Sequence, residues 1–232
     1  MRTRGQRAAS TAATRQAVIG AARDLLAEGP WSGFTLEAVA TRAGVTRVTV
    51  YNQVTSKTGL LDAVLTDLAE RAGMDSLLTS TQEMTAAQAL RFVIDQTCRF
   101  WHAERAVLRP LFGLAAIDPD IAANLARREQ WRTDQFDALL SRLATRDGPE
   151  PQLPRDVLLA GLRAVTSFPT YDALGGIADD PAVAAELIGR LVISLTAIAN
   201  HDQYTSRDRR QSLQNRIPDT DIHGVRRPWP ER

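Results

Sequence analysis

An all-α fold is predicted by three features of this chain. Apolar residues recur three and four positions apart almost throughout, no long Val/Ile/Thr alternation bounded by hairpin turns occurs, and Gly- or Pro-containing breaks separate the periodic segments. With 232 residues and 44% apolar content the chain can bury a sizeable core. Two units are expected: a helix-turn-helix over residues 10–56 and a larger helical unit over 57–200. A flexible basic arm at 1–9 and a polar, poorly ordered tail at 201–232 flank them.

The first helix is expected over about 10–28, with Val18, Ala22, Leu25 and Leu26 on its inner face and Gly29-Pro30 as its stop. Thr35 is a good N-cap for a second helix carrying Leu36, Val39 and Ala40, and Ala43-Gly44 supplies a turn that tolerates positive φ. Thr46 then caps a third helix. Its Val45, Val48 and Val50 are expected to hold it to its neighbours, while Arg47, Thr49 and Tyr51 project elsewhere. Ser56 caps a longer helix through Leu60, Leu61, Val64, Leu65 and Leu68 toward Met74, linking the units. The periodicity then predicts helices over about 85–104, 106–116, 119–145, 154–174 and 181–200. A loop at Asp147-Gly148-Pro149-Glu150-Pro151 and the pair Gly175-Gly176 divide the later ones, and the last two begin with a proline in the first turn.

Charge is unevenly spread. Residues 1–60 carry eight basic and three acidic side chains, a net +5, whereas the remainder carries 20 basic and 24 acidic ones. A basic head on an acidic body points to a polyanion bound at one end, and DNA is the obvious candidate. In a recognition helix the N-terminal residues face the major groove. Arg47 there can pair with guanine, and Thr46 or Thr49 can meet a phosphate or a thymine methyl. Tyr51, Lys57 and Thr35 suit phosphate contacts, which position the helix and carry little sequence information. Capping alone also accounts for Thr35 and Thr46. Tyr51 reads alternatively as a half-buried junction aromatic, and Arg47 and Lys57 as solvated surface charges.

Over the first 65 or so residues this pattern resembles the tetracycline-repressor (TetR) family of bacterial transcription regulators. The matching elements are Ala21-Ala22 and Leu25-Leu26 before Gly29, Phe34-Thr35, Val39-Ala40, Ala43-Gly44-Val45-Thr46, Tyr51, and Ser56-Lys57 with Leu60-Leu61. Gln53-Val54 departs from the aromatic residues the family often places after the tyrosine, so looser packing of the first and third helices is expected. Val50 stands where the family commonly has Leu. The resemblance implies a homodimer that binds a double-stranded, palindromic DNA operator, with a helical effector-binding and dimerisation unit after about residue 73.

No motif marks that unit, so only physical reasoning reaches it. A small-molecule pocket is expected among the middle helices, from Phe92, Thr97, Trp101, His102, Phe112, Trp131, Gln135, Phe168 and Tyr171, an aromatic set with a few orienting polar groups. Each of these is equally readable as plain core. Leu158, Leu162 and Val165 on one late helix and Leu187, Leu191 and Leu195 on the next form apolar faces suited to a four-helix bundle with a second copy.

His102, His201 and His223 are scattered and Cys98 is the sole cysteine, so neither a metal site, a cofactor nor an internal disulfide is expected. Phosphate loops, nucleotide-binding glycine patterns and nucleophile elbows are missing from the sequence, and catalysis is not expected. A cytoplasmic protein without a membrane span is the corresponding expectation. The function read from the sequence is a ligand-responsive transcription regulator, most readily a repressor. The alternative is a helical interaction module with a vestigial helix-turn-helix.

Overall fold

The computed structural model describes residues 4–144 and 154–197, in which eleven α-helices and no strand occur among the described residues. Helix α1 spans Arg4–Glu28 and so begins inside the segment expected to be a flexible arm. Ala8, Ala9, Ala12 and Ala13 explain the extension, since alanine has the lowest helical cost of any residue. A single 3-10 turn over Trp31–Gly33 leads to α2 (Leu36–Ala43) and α3 (Arg47–Val54). Helix α4 (Lys57–Arg71) follows, then a 3-10 turn at Met74–Ser76 and the one-turn α5 (Leu77–Ser80).

The body contains α6 (Ala86–Ala103), α7 (Arg105–Leu114), α8 (Pro119–Ala144), α9 (Arg155–Val165), α10 (Phe168–Ala173) and α11 (Pro181–Ala197). Thr85 and Gln88 close a reciprocal capping box on α6. Asp118 and Asp180 accept backbone N–H bonds in the first turns of α8 and α11, each just before a proline. The loop at 147–151, the last residues of the helix expected over 181–200 (198–200) and the tail at 201–232 lie outside the described residues.

One expected helix is two. The segment 154–174 breaks after Val165, and Ser167 caps α10 by accepting from the Thr170 N–H, with Pro169 in its first turn. The carbonyls freed at the end of α9 are met from other helices. Arg132 on α8 donates to the carbonyls of Arg163 and Thr166, each at 3.1 Å, and Trp101 on α6 donates to the Thr166 carbonyl at 3.1 Å. A buried guanidinium at a helix C-terminus also faces the negative end of the helix dipole.

Helix α6 packs against α7, α8, α10 and α11, and α9 rests on α8, α10 and α11. Helix α1 touches α2, α3 and α4 on one side and α7 on the other, so the buried residues run as one cluster from Val18 to Val192. Polar ties reinforce that joint. Arg23 on α1 pairs with Glu104, between α6 and α7, at 3.1 Å. Burial pushes the Glu104 carboxyl up from its ordinary range, with Arg23 opposing. On α8, Asn124 donates to the Asp62 carboxylate at 3.1 Å, and Arg128 donates to Asp62 and to the Thr66 hydroxyl of α4 at 3.0 and 2.9 Å.

The apolar faces expected for self-association are divided by the structure. Leu158 and Leu162 are buried within the chain, because the break at Thr166 lets α9 turn that face onto α8 and α11. Val165, Leu187 and Leu195 are half-buried, and Leu191 is exposed. The outer surface of α9 and α11 presents Val157, Val183, Leu191 and Ile193 instead.

Candidate nucleic-acid interface and effector cavity

Helices α2 and α3 are fixed by their caps. The Thr35 hydroxyl accepts from the Ala38 N–H at 3.1 Å, and that of Thr46 accepts from the Thr49 N–H at 3.1 Å while bonding the Thr49 hydroxyl at 2.9 Å. Between the helices Gly44 takes φ 67°, and Val45 N–H reaches back to the Ala40 carbonyl at 3.0 Å, which closes the turn as a left-handed cap. Inward, Val50 and Val54 seat α3 on the core, and Arg15 of α1 donates to the Gln53 carbonyl at 2.7 Å. Val54 is thus buried despite its small size.

Outward, α3 presents Arg47, Val48, Tyr51 and Asn52 along one exposed edge. Val48, expected to pack inward, is 68% exposed. At about 100° per residue it lies some 200° around the helix from Val50, so the two cannot share a face. Tyr51 is 57% exposed, which removes its reading as a half-buried junction aromatic. Thr35 and Thr46 are exposed at the starts of their helices, and Thr49 is half-buried between Thr46 and the core.

Lys57 has a setting that the sequence did not disclose. Its ammonium lies 3.7 Å from the centroid of the Trp31 ring, which stacks on Phe34 at 5.3 Å. Burial lowers its pKa, with the Asp118 charge opposing. Gly59 likewise has a role visible only in the folded chain. A methyl at that position would overlap the Val54 carbonyl oxygen, so glycine permits the close crossing of α3 and α4.

In the body a small cavity lies between the 3-10 turn that follows α4 and helices α5, α6 and α8. Three of the nine expected pocket residues line it: Thr97, Trp131 and Gln135. Met74, Leu77, Val93, Arg132, Phe136 and Leu139 complete the wall. Its free space is about 20 Å³, room for about one water. An organic ligand therefore requires the walls to part.

The other six expected residues lie elsewhere. Trp101 and Phe168 meet edge to face at 5.7 Å, Phe112 packs on Phe168 at 5.0 Å, and the Tyr171 hydroxyl donates to the Ala178 carbonyl at 2.7 Å. Trp101, Phe168 and Tyr171 are all buried, and burial raises the Tyr171 pKa. His102 is exposed and its Nδ1 donates to the Ala178 carbonyl at 3.1 Å, while Phe92 is half-buried away from the cavity. Cys98 is buried, its thiol pushed up to about 12 by desolvation, so it acts as a core residue. Among the described residues no group of three His, Cys, Asp or Glu could hold a metal, and no helix is long and apolar enough to cross a membrane.

Comparison with known proteins places this architecture. Residues 18–64 match the family model for bacterial regulatory proteins, tetR family. The chain is 44% identical over 63 residues to the HTH-type transcriptional regulator AlkX of Mycobacterium tuberculosis (strain ATCC 25618 / H37Rv), a match spanning 27% of this chain and only 30% of that relative. The tetR-family transcriptional regulator from Streptomyces coelicolor has a similar fold, with TM-score 0.57, 21% identity, and 89% of this chain and 90% of that one covered. So does the TetR-like regulator LfrR from Mycobacterium smegmatis, solved in complex with proflavine, with TM-score 0.52, 21% identity, and 81% and 97% covered. Residues 18–64 thus carry the helix-turn-helix of the tetR family of bacterial regulatory proteins, and the helical body that follows shares the fold of these solved regulators.

Proposed function

We propose that the protein is a homodimeric transcription regulator, a repressor released from a palindromic operator by a small-molecule effector, acting in the cytoplasm. The carrying observation is the exposed edge of α3, seated from behind by Val50 and Val54 and held at its start by Thr46. On that edge Arg47 forms the bidentate pair with guanine, and Val48 meets a thymine methyl. Thr46 and Thr49 border the same groove. Tyr51 and Thr35 contact phosphates, and Lys57, steadied over Trp31, has ammonium N–H groups left for another.

A palindrome requires two such edges about 34 Å apart, which one chain cannot supply. The exposed Val157, Val183, Leu191 and Ile193 on α9 and α11, with the half-buried Val165, Leu187 and Leu195 beside them, offer the surface for a second copy. LfrR, a relative in fold, was solved with a small molecule, which supports an effector in the body. Met74 and Leu77 in the cavity wall follow directly on α4, and Arg128 and Asn124 on α8 grip that helix at Asp62. Parting the walls therefore moves α4, whose first turn crosses α3. A coupling of about 1–3 kcal/mol changes operator affinity about 5- to 150-fold.

The test is capture of genomic fragments by the full chain, followed by binding to the recovered duplex between about 50 and 200 mM salt. Enrichment of a palindromic site whose binding weakens steeply with salt is expected. Recovery of no preferred duplex contradicts the reading and favours the protein-interaction module.

A further inference from the structure

Arg132 is 7% exposed and is part of the cavity wall. Its two terminal nitrogens are fully used: one donates to the Thr166 carbonyl and hydroxyl, the other to the Glu129 carboxylate and the Arg163 carbonyl. A guanidinium has five N–H donors, and the fifth, on Nε, is buried with no partner. An unmet buried donor is costly, and a ligand oxygen that reaches Nε once the walls part removes that cost.

The surroundings define the rest of the ligand. Met74, Leu77, Val93, Phe136 and Leu139 are apolar, so most of its surface must be hydrocarbon. Glu129, one turn before Arg132 on α8, already neutralises the guanidinium, so a second carboxylate would enter a low-dielectric space without a counter-charge. Gln135, half-buried on the same wall, has a side-chain amide for a weaker second contact. We propose that the cavity takes a neutral, largely apolar molecule bearing one hydrogen-bond-accepting oxygen, such as a ketone, held through Arg132 Nε. This inference rests on the effector reading above and specifies its chemistry.

The test compares 2-octanone, octane and octanoate on the full chain, read by thermal shift and by tryptophan emission, with a Trp131→Phe chain identifying the part that comes from the cavity wall. The ketone is expected to bind at least about tenfold more tightly than either competitor. Arg132→Lys, which keeps the charge but loses the Nε–H, is expected to abolish that preference. Leu139→Trp, which fills the cavity and leaves Arg132 in place, is expected to abolish binding of all three. Equal binding of octane, tighter binding of octanoate, no binding of any probe, or a ketone preference that survives in Arg132→Lys overturns the proposal. Operator binding by the same samples separates the two readings: if it persists while the ketone preference is missing, only the ligand class fails, and if it is absent, the regulator reading fails.

Discussion

The head and the body of this molecule are stabilised at different ranges along the chain. In the head, Thr35, Gly44, Thr46 and Ser56 each act within three or four residues of themselves, and those short contacts place α2, α3 and the start of α4. In the body the decisive contacts span the chain: Arg132 caps α9 from 31 to 34 residues away, and Asp172 receives Arg105 and Arg109 from more than 60. Local contacts suit a surface whose shape must match DNA in the proposed reading. Distant ones suit a cavity whose walls must part in that reading.

The largest test of that contrast is Arg132→Met. It removes four hydrogen bonds from a buried site and leaves the end of α9 held by Trp101 alone, so a loss of about 3 kcal/mol in urea-induced unfolding is expected. Operator affinity per folded molecule should change little, since no head contact is touched. Gly59→Ala should show the reverse proportion. Its methyl pushes α3 away from α4, costing about 2 kcal/mol of stability and at least about tenfold in operator affinity by gel shift.

A smaller effect, confined to the body, is expected from Asp172→Asn. Asp172 accepts from Arg105 Nε at 2.6 Å and from Arg109 Nη2 at 2.6 Å, and the Arg109 bond is the first cause that holds its pKa below the ordinary 3.8. A carboxylate with a depressed folded-state pKa stabilises the fold above its unfolded value and loses that contribution as pH falls through the folded one. The variant should be about 1 kcal/mol less stable near neutrality, a modest figure because Arg109 is solvent-screened. The gap should close as thermal unfolding is followed from about pH 4 downward.

The same contrast explains what could be read from sequence. Thr35, Thr46 and Ser56 were legible as caps because a capping residue and the N–H it accepts lie in one turn, and all three hold those N–H groups in the structure. The outward position of Val48 follows from angular arithmetic within α3, since its two-residue offset from Val50 already turns it away from the core. Gly59 and Trp31 required knowledge of how helices cross. The body's helices were largely found by periodicity, yet the break at Thr166 depends on Arg132 and Trp101, and no local signal announced their arrival. Pro169 was the available hint. Trp101, Phe168 and Tyr171 were expected around a ligand because aromatic composition is the same in a pocket wall and in a packed core; only tertiary placement separates them from Thr97, Trp131 and Gln135.

The central claim is that the outer edge of α3 reads DNA, and Arg47→Ala tests it most directly. Arg47 is exposed, so its thermal unfolding should match that of the parent chain. Binding to the selected operator should weaken by about 1–3 kcal/mol and discrimination at one guanine should relax. Unchanged affinity and unchanged base preference in a folded Arg47→Ala protein would contradict the account.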